Sequence, residues 1–291
     1  MNIIKIEQAN SRRLVQSMFQ PALPPRSNDA HKGSFGSTAI IGGDAGMIGA
    51  VILASRAALF SGVGRVYAAL LSKNSVTVDL MQPEIMYRAT EDLTKLQQLD
   101  SVVIGPGLGQ SNTAMLLLEF WLKQSVPLLI DADALNLIAQ YQSLATICRN
   151  RHAETVITPH VGEAFRLLAT SSDHVQKDRI ECALKLAQMF NATCVLKGAG
   201  SICAHHDGVW FENSSGNPSL ASGGTGDVLS GIIGSLMAQG LSGLDAAKLG
   251  VYAHGAAADS LVAQGIGPVG LTASEVSKEV RNIINTLNLI G

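Results

Sequence analysis

The sequence lacks the features that binding to charged polymers, metal clustering or membrane insertion would require. Only 15% of its 291 residues are charged and the net charge is −2, which disfavours a nucleic-acid or anionic-membrane surface. Its four cysteines form no CxxC pair and no zinc-like or disulfide-like spacing, so we expect free, buried thiols. We find no signal-peptide core and no apolar segment long enough to cross a bilayer. We therefore expect a cytoplasmic protein with no membrane or nucleic-acid partner.

Two common nucleotide-binding motifs are also missing. The chain contains no GxxxxGKS/T P-loop. Residues 105–109 (Gly-Pro-Gly-Leu-Gly) have two glycines at the spacing of a dinucleotide fingerprint but lack the third, because Gln110 follows Gly109. Any nucleoside phosphate must therefore be bound by another architecture.

Hydrophobic residues (47%) and glycine (29 residues) are abundant, and short apolar runs alternate with helix-like stretches. Runs typical of strands lie at residues 38–41, 65–71, 101–104, 127–130, 155–157 and 193–196. Helices are predicted at residues 48–61, 113–123, 134–140, 162–169 and 173–190. This alternation predicts an α/β fold with a central, mainly parallel sheet covered by helices on both faces, in a single domain over residues 1–291.

The two ends of the chain differ from this pattern. Residues 4–19 predict a short helix that the following prolines end, so residues 1–30 are interpreted as an N-terminal arm for packing or oligomer contacts. Residues 201–204 and 209–212 predict a hairpin with Asp-Gly at its turn. The remainder is predicted to be helical at residues 227–239, 244–261 and 272–287.

Glycine and polar residues repeatedly follow the predicted strands. Ligands of open α/β sheets bind outside the carboxyl ends of the strands, and these segments are predicted to lie at that edge. They are residues 42–43, 105–109, 131–136, 158–160 and 197–201.

A glycine-rich loop precedes the first of the C-terminal helices. Gly223, Gly224 and Gly226, with Thr225 between them, allow a sharp turn that brings backbone N–H groups close to a ligand. The apolar helix that follows is predicted to be buried, and the N–H groups at its start suit a phosphate. Asp227 has two interpretations: it is an N-cap, or it takes a proton from a substrate hydroxyl while the loop stabilises a phosphoryl group.

Other polar residues at this edge also have a structural and a functional interpretation. Asp131 and Asp133 could hold magnesium, although a helix cap is the favoured role for Asp133. His160, with Glu163 close behind, is either a satisfied structural residue or a site residue. Lys197 either neutralises phosphate charge beside a flexible loop or marks a plain turn. His254 is explained most simply by packing.

In combination, these motifs resemble the ADP/ATP-dependent NAD(P)H-hydrate dehydratases of the ribokinase-like superfamily. The resemblance rests on an ordered set of segments from about residue 30 onward. These are residues 32–36, 105–109, 131–136, 158–160 with Glu163, 197–201 and 223–227. The chain departs from the family pattern at two positions. It has Val161 where family members often have proline, and Ser201 where they often have threonine. Some members carry an additional epimerase domain, for which we expect no room in this chain.

The resemblance implies an enzyme that restores the S-epimer of hydrated NADH or NADPH, using ADP or ATP as phosphoryl donor together with Mg²⁺. ADP is favoured as the donor. It also implies a homo-oligomer, commonly a tetramer. The implied contacts to the hydrated cofactor are Ala39, Gly107, His160 and Asp227, with Asp227 as the catalytic base. The implied nucleotide contacts are Lys197, Gly198, Ala199, Gly200, Ser201 and Gly226.

Two alternatives remain open at this point. A kinase of the same superfamily, acting on a vitamin precursor of the hydroxymethylpyrimidine or hydroxyethylthiazole type, would keep Asp227 and its loop. Residues 158–160 together with 105–109 resemble the dehydratases better. A non-catalytic nucleotide sensor would not need a base at Asp227.

Overall fold

The computed structural model describes residues 12–72, 76–96 and 98–289, and its organising feature is one sheet. The strands are β1 Arg13–Leu14, β2 Ser37–Gly42, β3 Arg65–Leu70, β4 Met86–Arg88, β5 Ser101–Ile104, β6 Leu128–Ile130, β7 Thr155–Ile157, β8 Thr193–Leu196, β9 Ile202–His205 and β10 Trp210–Asn213. Their spatial order is β1-β10-β9-β8-β7-β6-β5-β2-β3-β4. The neighbouring strands from β8 through β4 pair in parallel, whereas β9 is antiparallel to β8 and β10. The predicted mainly parallel sheet is confirmed.

Helices cover both faces of this sheet, as predicted. They are α1 Ile48–Phe60, α2 Asn112–Leu122, α3 Ala132–Gln140, α4 Gln142–Arg149, α5 Val161–Leu168, α6 Ser172–Lys177, α7 Arg179–Phe190, α8 Thr225–Ala238, α9 Gly243–Ala263 and α10 Ala273–Leu289. The period of two along each strand divides the apolar residues between two cores. In β2, Ile40 packs in the core with α1, α8, α9 and α10, while Ala39 and Ile41 face the core with α2 to α7.

Helix α8 lies deep in the first of these cores, and two glycines allow its close approach to neighbouring elements. A Cβ on Gly231 would lie 2.0 Å from the carbonyl oxygen of Ala54 in α1. A Cβ on Gly234 would lie 2.2 Å from Cγ2 of Val103 in β5. The hydroxyl of Ser101 donates to the carbonyl oxygen of Gly234 at 2.8 Å, which fixes the helix against the sheet. The prediction of a buried helix after the glycine loop is confirmed.

The structure corrects some predicted helices. The helix predicted over residues 173–190 is divided into α6 and α7 at Asp178, which has φ −122° and ψ 48°. Helix α4 and strand β4 were not predicted. Both elements are short. Strand β4 contains no fully buried residue, so the hydrophobic pattern of this strand is too weak to identify it from the sequence.

The predicted helix over residues 4–19 is wrong for residues 12–19, whereas residues 4–11 of that prediction lie outside the described residues. Arg13–Leu14 forms β1 at the edge of the sheet, and a 3-10 helix follows at Gln16–Phe19. Phe19 is buried, and its ring centroid lies 5.0 Å from that of Tyr252. The described part of the arm is therefore packed on the core.

Candidate functional site

The glycine-rich loop turns directly into α8. Gly224 precedes the helix with φ +88°, in the left-handed region that favours glycine. The hydroxyl of Thr225 lies 2.8 Å from the carbonyl oxygen of Leu220 and 3.0 Å from that of Ser222, so this side chain maintains the turn. The N–H groups of the first helical turn have no intrahelical acceptor, which leaves them free to bind an anion.

Asp227 is the third residue of α8. The N-cap position belongs to Gly224, so the N-cap interpretation of Asp227 is wrong: the helix begins two residues earlier than its apolar pattern indicates. Burial raises the pKa of Asp227 to about 7; the charge of Asp131 adds to the increase and that of Lys197 opposes it. A carboxyl group with a pKa near 7 can accept and release a proton at neutral pH.

Lys197 is held at the same edge by buried carboxylates. Its Nζ lies 2.6 Å from Oδ1 of Asp131 and 4.0 Å from Oε2 of Glu163. The other oxygen of Asp131 accepts a hydrogen bond from Ser230 in α8 at 2.6 Å. Burial alone would lower the pKa of Lys197, but the charges of Asp131 and Glu163 outweigh it and raise that pKa. A Cβ on Gly226 would lie 3.6 Å from Nζ of Lys197, so the cation borders the anion site.

Asp133 is not the cap of α3, contrary to the favoured sequence interpretation. Helix α3 begins at Ala132 with Asp131 at its N-cap position, so Asp133 already lies within the first turn. Its Oδ2 accepts a hydrogen bond from the backbone N–H of Gly109 at 2.9 Å. Asp133 therefore ties the turn after β5 to the start of α3.

His160 has the structural role that its sequence context left open, and its role as a site residue stays a prediction. It is the N-cap of α5, and its Nδ1 accepts hydrogen bonds from the N–H groups of Gly162 and Glu163. Glu163 accepts in return from the backbone N–H of His160 at 2.7 Å. The imidazole nevertheless remains 54% exposed. The capping contacts orient a ring that solvent or a ligand can reach.

The turn after β5 lies against the start of α1. Gly107 has φ +56°, and a Cβ there would lie 2.6 Å from the carbonyl oxygen of Met47 and 3.3 Å from Cβ of Ala50. Ala39, in contrast, lies in the middle of β2 and is 0% exposed. Its side chain faces the core, so the structure does not place it at the ligand edge. The alanine that lies beside Gly107 is Ala50 in α1.

The segment after β8 forms a compact turn. The hydroxyl of Ser201 donates to the carbonyl oxygen of Gly198 at 3.0 Å and lies 3.3 Å from its N–H. This hydroxyl closes the turn, and the nucleotide contact of Ser201 stays a prediction. Ala199 is exposed at the tip of the turn.

His254, in α9, lies below the glycine loop. Its side chain is buried, and burial lowers its pKa to about 4 while the neighbouring backbone of Thr225 opposes the decrease. Its Nε2 has no hydrogen-bond partner among the described residues. The imidazole is therefore neutral at pH 7, which agrees with the packing interpretation.

The described residues contain no cluster of three or more His, Cys, Asp or Glu that could hold a metal ion. Asp131 and Glu163 both accept hydrogen bonds from protein donors already. These carboxylates fit a magnesium ion bound through phosphate oxygens and water, with few direct protein ligands, as is usual for this ion.

The parallel sheet, the anion loop at a buried helix and the acidic residue in its first turn define a nucleotide-binding α/β enzyme of the ribokinase-like class. A family model described as NAD(P)H-hydrate dehydratase matches residues 38–282. The chain belongs to this family.

Individual relatives agree with this assignment. The chain is 38% identical to the ADP-dependent (S)-NAD(P)H-hydrate dehydratase of Neisseria meningitidis, covering 98% of both chains. It is 41% identical to the bifunctional NAD(P)H-hydrate repair enzyme of Coxiella burnetii, covering 91% of this chain and 54% of that one. The chain thus spans about half the length of its bifunctional relatives.

Solved structures support the same fold. The ADP/ATP-dependent NAD(P)H-hydrate dehydratase of Bacillus subtilis, co-crystallised with ATP and Mg²⁺, matches with a TM-score of 0.80 and 27% identity over 94% of this chain and 98% of that one. A ribokinase-like protein of Enterococcus faecalis matches with a TM-score of 0.83 and 28% identity, over 95% and 96% of the two chains. A hydroxyethylthiazole kinase of Pyrococcus horikoshii matches less well, with a TM-score of 0.59 and 17% identity, covering 88% and 90%, and shares the fold alone. The dehydratase interpretation is favoured over the kinase alternative.

Proposed function

We propose that this chain is an ADP-dependent (S)-NAD(P)H-hydrate dehydratase, which converts hydrated NADH or NADPH back to NADH or NADPH. The observation that carries the proposal is Asp227, a carboxyl group with a raised pKa in the first turn of α8, directly after the glycine loop. A base beside an anion site is what phosphoryl transfer to a hydroxyl group requires. The Neisseria relative with this activity in its name aligns over nearly all of this chain.

The proposed chemistry has two stages. Asp227 removes the proton from the hydroxyl group on the hydrated nicotinamide ring, and the oxygen attacks the terminal phosphorus of ADP, which releases AMP. The N–H groups of the loop stabilise the charge on the transferring phosphoryl group. Phosphate is a better leaving group than hydroxide, so the ring nitrogen expels it. Loss of a proton from the adjacent carbon then restores the double bond.

The placement of the side chains supports two adjoining subsites. We assign the hydrated ring to the space bordered by Gly107 in the turn after β5, His160 at the start of α5 and Asp227 in the first turn of α8. We assign the nucleotide to the second group of residues, next to the anion loop. This group is Lys197, Gly198, Ala199, Gly200, Ser201, Gly223, Gly224, Thr225 and Gly226.

Lys197 neutralises part of the negative charge of the donor phosphates. Magnesium would neutralise more of this charge when bound with the nucleotide. We propose that Asp131 and Glu163 attract it through water, since both carboxylates lie within the ion-pair network around Lys197.

The activity is tested by the return of reduced-nicotinamide absorbance when the protein meets (S)-hydrated NADH with magnesium and either ADP or ATP. We expect a rise that requires the donor and is faster with ADP. Asp227→Asn should retain nucleotide binding and lose turnover, because an amide cannot accept the proton. No rise with either donor would reject the dehydratase, and unchanged turnover in the variant would remove Asp227 from the mechanism.

We further propose that residues 1–291 form one domain, and that the protein is a cytoplasmic homo-oligomer, with a tetramer expected. Two very exposed apolar side chains, Leu80 (88%) and Val269 (94%), support a contact between subunits. No helix in the described part of the chain meets the length and hydropathy of a membrane span. Light scattering gives the mass in solution, and a monomer would contradict the oligomer. A single cooperative unfolding transition is expected for one domain.

A further inference from the structure

Arg179 contacts the turn that follows β8, at residues 197–201. It is the first residue of α7, directly after the break at Asp178 that separates this helix from α6. Its Nη2 lies 3.1 Å from the carbonyl oxygen of Leu196, 3.3 Å from that of Gly200 and 3.5 Å from that of Lys197. One guanidinium nitrogen thus faces the carbonyl groups at both ends of the turn.

Gly198 provides an independent sign that the turn is built around this arginine. Its φ of +145° is one that side chains rarely adopt. A Cβ at this position would lie 3.0 Å from Nη1 of Arg179 and 3.1 Å from Nη2. The guanidinium group occupies the space in which a side chain at position 198 would lie, so the glycine and the arginine fit each other.

In the described part of the chain, some backbone N–H groups of this turn have a protein acceptor and others have none. The N–H of Lys197 donates to the carbonyl oxygen of Pro159 at 2.9 Å, and that of Gly198 lies 3.3 Å from the hydroxyl oxygen of Ser201. Among the described residues, no protein acceptor binds the N–H groups of Ala199 or Gly200. The carbonyl groups of the turn bind Arg179, whereas the N–H groups of Ala199 and Gly200 are available for an anionic or polar ligand.

The charge of Arg179 is partly withdrawn from water. Burial lowers its pKa, with the charge of Glu212 opposing this change, yet a guanidinium group stays protonated at any physiological pH. Its hydrogen bonds to carbonyl oxygens offset part of the desolvation of the ion. A lysine could not reproduce them, because its ammonium group lacks the planar set of donors.

We propose that Arg179 is a positioning residue for the nucleotide: it holds the carbonyl groups of residues 196–200 on one side, so that the turn presents its free N–H groups and Lys197 to the donor. This inference rests on the proposed nucleotide subsite at residues 197–201. Arg179 acts through the turn and does not touch the reacting atoms.

The test uses the full chain and compares Arg179→Gln with Arg149→Gln. Arg149 is a matched control, because its Nε also donates to a backbone carbonyl oxygen, that of Met189 at 3.0 Å, but far along the sequence from the turn. We expect Arg179→Gln to raise the KM for ADP and the Kd for AMP by about tenfold or more, with kcat and the KM for the hydrate changed less than about threefold. Arg149→Gln should change none of these constants.

A double-mutant cycle with Gly198→Ala tests whether the turn and the guanidinium group act together. Gly198→Ala forces a Cβ against the guanidinium group, so it should weaken AMP binding in the wild-type background and less so when Arg179 is glutamine. Arg179→Lys replaces Arg179→Gln if the latter fails to fold, and it should also weaken AMP binding. Additive effects of Gly198→Ala and Arg179→Gln, or unchanged AMP affinity in a folded Arg179 variant, would overturn the inference.

The same measurements separate this inference from the proposed function. Wild-type protein that neither binds AMP nor uses ADP would reject the nucleotide subsite itself. Wild-type protein that does both, with Arg179 variants that match it, would reject the role of Arg179 alone.

Discussion

Asp227, the proposed catalytic base, lies in an environment that disfavours its charged form. Its pKa of about 7 reflects burial first and the charge of Asp131 second. An ionised carboxylate at this place is destabilised in the folded protein relative to the unfolded chain. Such a cost is typical of functional sites, where activity is favoured over stability.

Asp227→Asn should stabilise the protein in a pH-dependent way. The pKa in the folded state is raised from 3.8 to about 7, so ionisation destabilises the fold increasingly as pH rises from 4 to 7. The variant should therefore be more stable than wild type by roughly 2–4 kcal/mol at pH 8, with the difference shrinking towards pH 4. Chemical denaturation across this range measures it.

Asp173→Asn is the control, since this exposed aspartate also lies in the first turn of a helix. We expect Asp173→Asn to show the same pH dependence of stability as the wild type, because it retains Asp227. A constant or absent stabilisation in Asp227→Asn would contradict the raised pKa.

The dehydration rate should follow the ionisation of Asp227. A base must be deprotonated to act, so kcat/KM at limiting concentrations of both substrates should rise with pH and level off above about 7. Below that pH the decrease should approach tenfold per pH unit. Stopped assays of reduced-nicotinamide absorbance, corrected for acid loss of the hydrate, give the profile. A rate that stays flat from pH 5.5 to 8 would exclude Asp227 as the base.

Helix α8 is buried in the core along most of its length, and its first turn lies at the candidate site. Its apolar residues and two glycines seat it against α1 and β5. Its first turn contains Asp227 and the N–H groups of the proposed anion site. One turn later, Ser230 donates a hydrogen bond to Asp131. Because the helix is packed on every side, its N-terminus is fixed relative to the sheet before a ligand arrives.

Gly231→Ala should therefore be strongly destabilising. Its Cβ would lie 2.0 Å from the carbonyl oxygen of Ala54, a backbone atom that cannot move without displacing α1. We expect a loss of about 3 kcal/mol or more in the free energy of unfolding. Gly49→Ala in α1 is the matched control, because its Cβ would meet nothing within 4 Å. Alanine there should stabilise the helix by up to about 1 kcal/mol. Equal effects in urea denaturation would contradict this account of α8.

At the scale of the whole molecule, the site exists only where separate loops meet. The turns after β2 and β5 are joined by hydrogen bonds from Gly43 and Asp44 to the carbonyl oxygens of Pro106 and Gly107. Lys197, after β8, reaches Asp131, after β6, at 2.6 Å. A nucleotide that binds there contacts several elements at once, so binding should stabilise the entire fold.

Saturation with ADP and Mg²⁺ should raise the melting temperature. A donor at a hundred times its Kd adds about 2.7 kcal/mol, which corresponds to roughly 4–5 °C for a chain of this size. Lys197→Gln should lose most of this shift, and Lys278→Gln, an exposed lysine in α10, should keep it. A differential scanning measurement without any shift for wild type would contradict nucleotide binding.

The sequence by itself determined the alternation of strands and helices and the edge at which the site lies. The apolar run of each central strand carries its own signal, so residues 101–104, 155–157 and 193–196 match β5, β7 and β8 without error. Asp227, Lys197 and His160 were identified because each is adjacent in sequence to a glycine or a proline, a local pattern that needs no knowledge of distant residues.

The tertiary structure decided the contacts that depend on residues far apart in the chain. Asp133 binds Gly109 instead of capping a helix, and Ala39 faces the core because of its position in β2. Arg179 lies below residues 196–200 because α6 and α7 are separate helices. Each of these depends on the relative placement of two elements. Helical or strand periodicity describes one element at a time and cannot supply it.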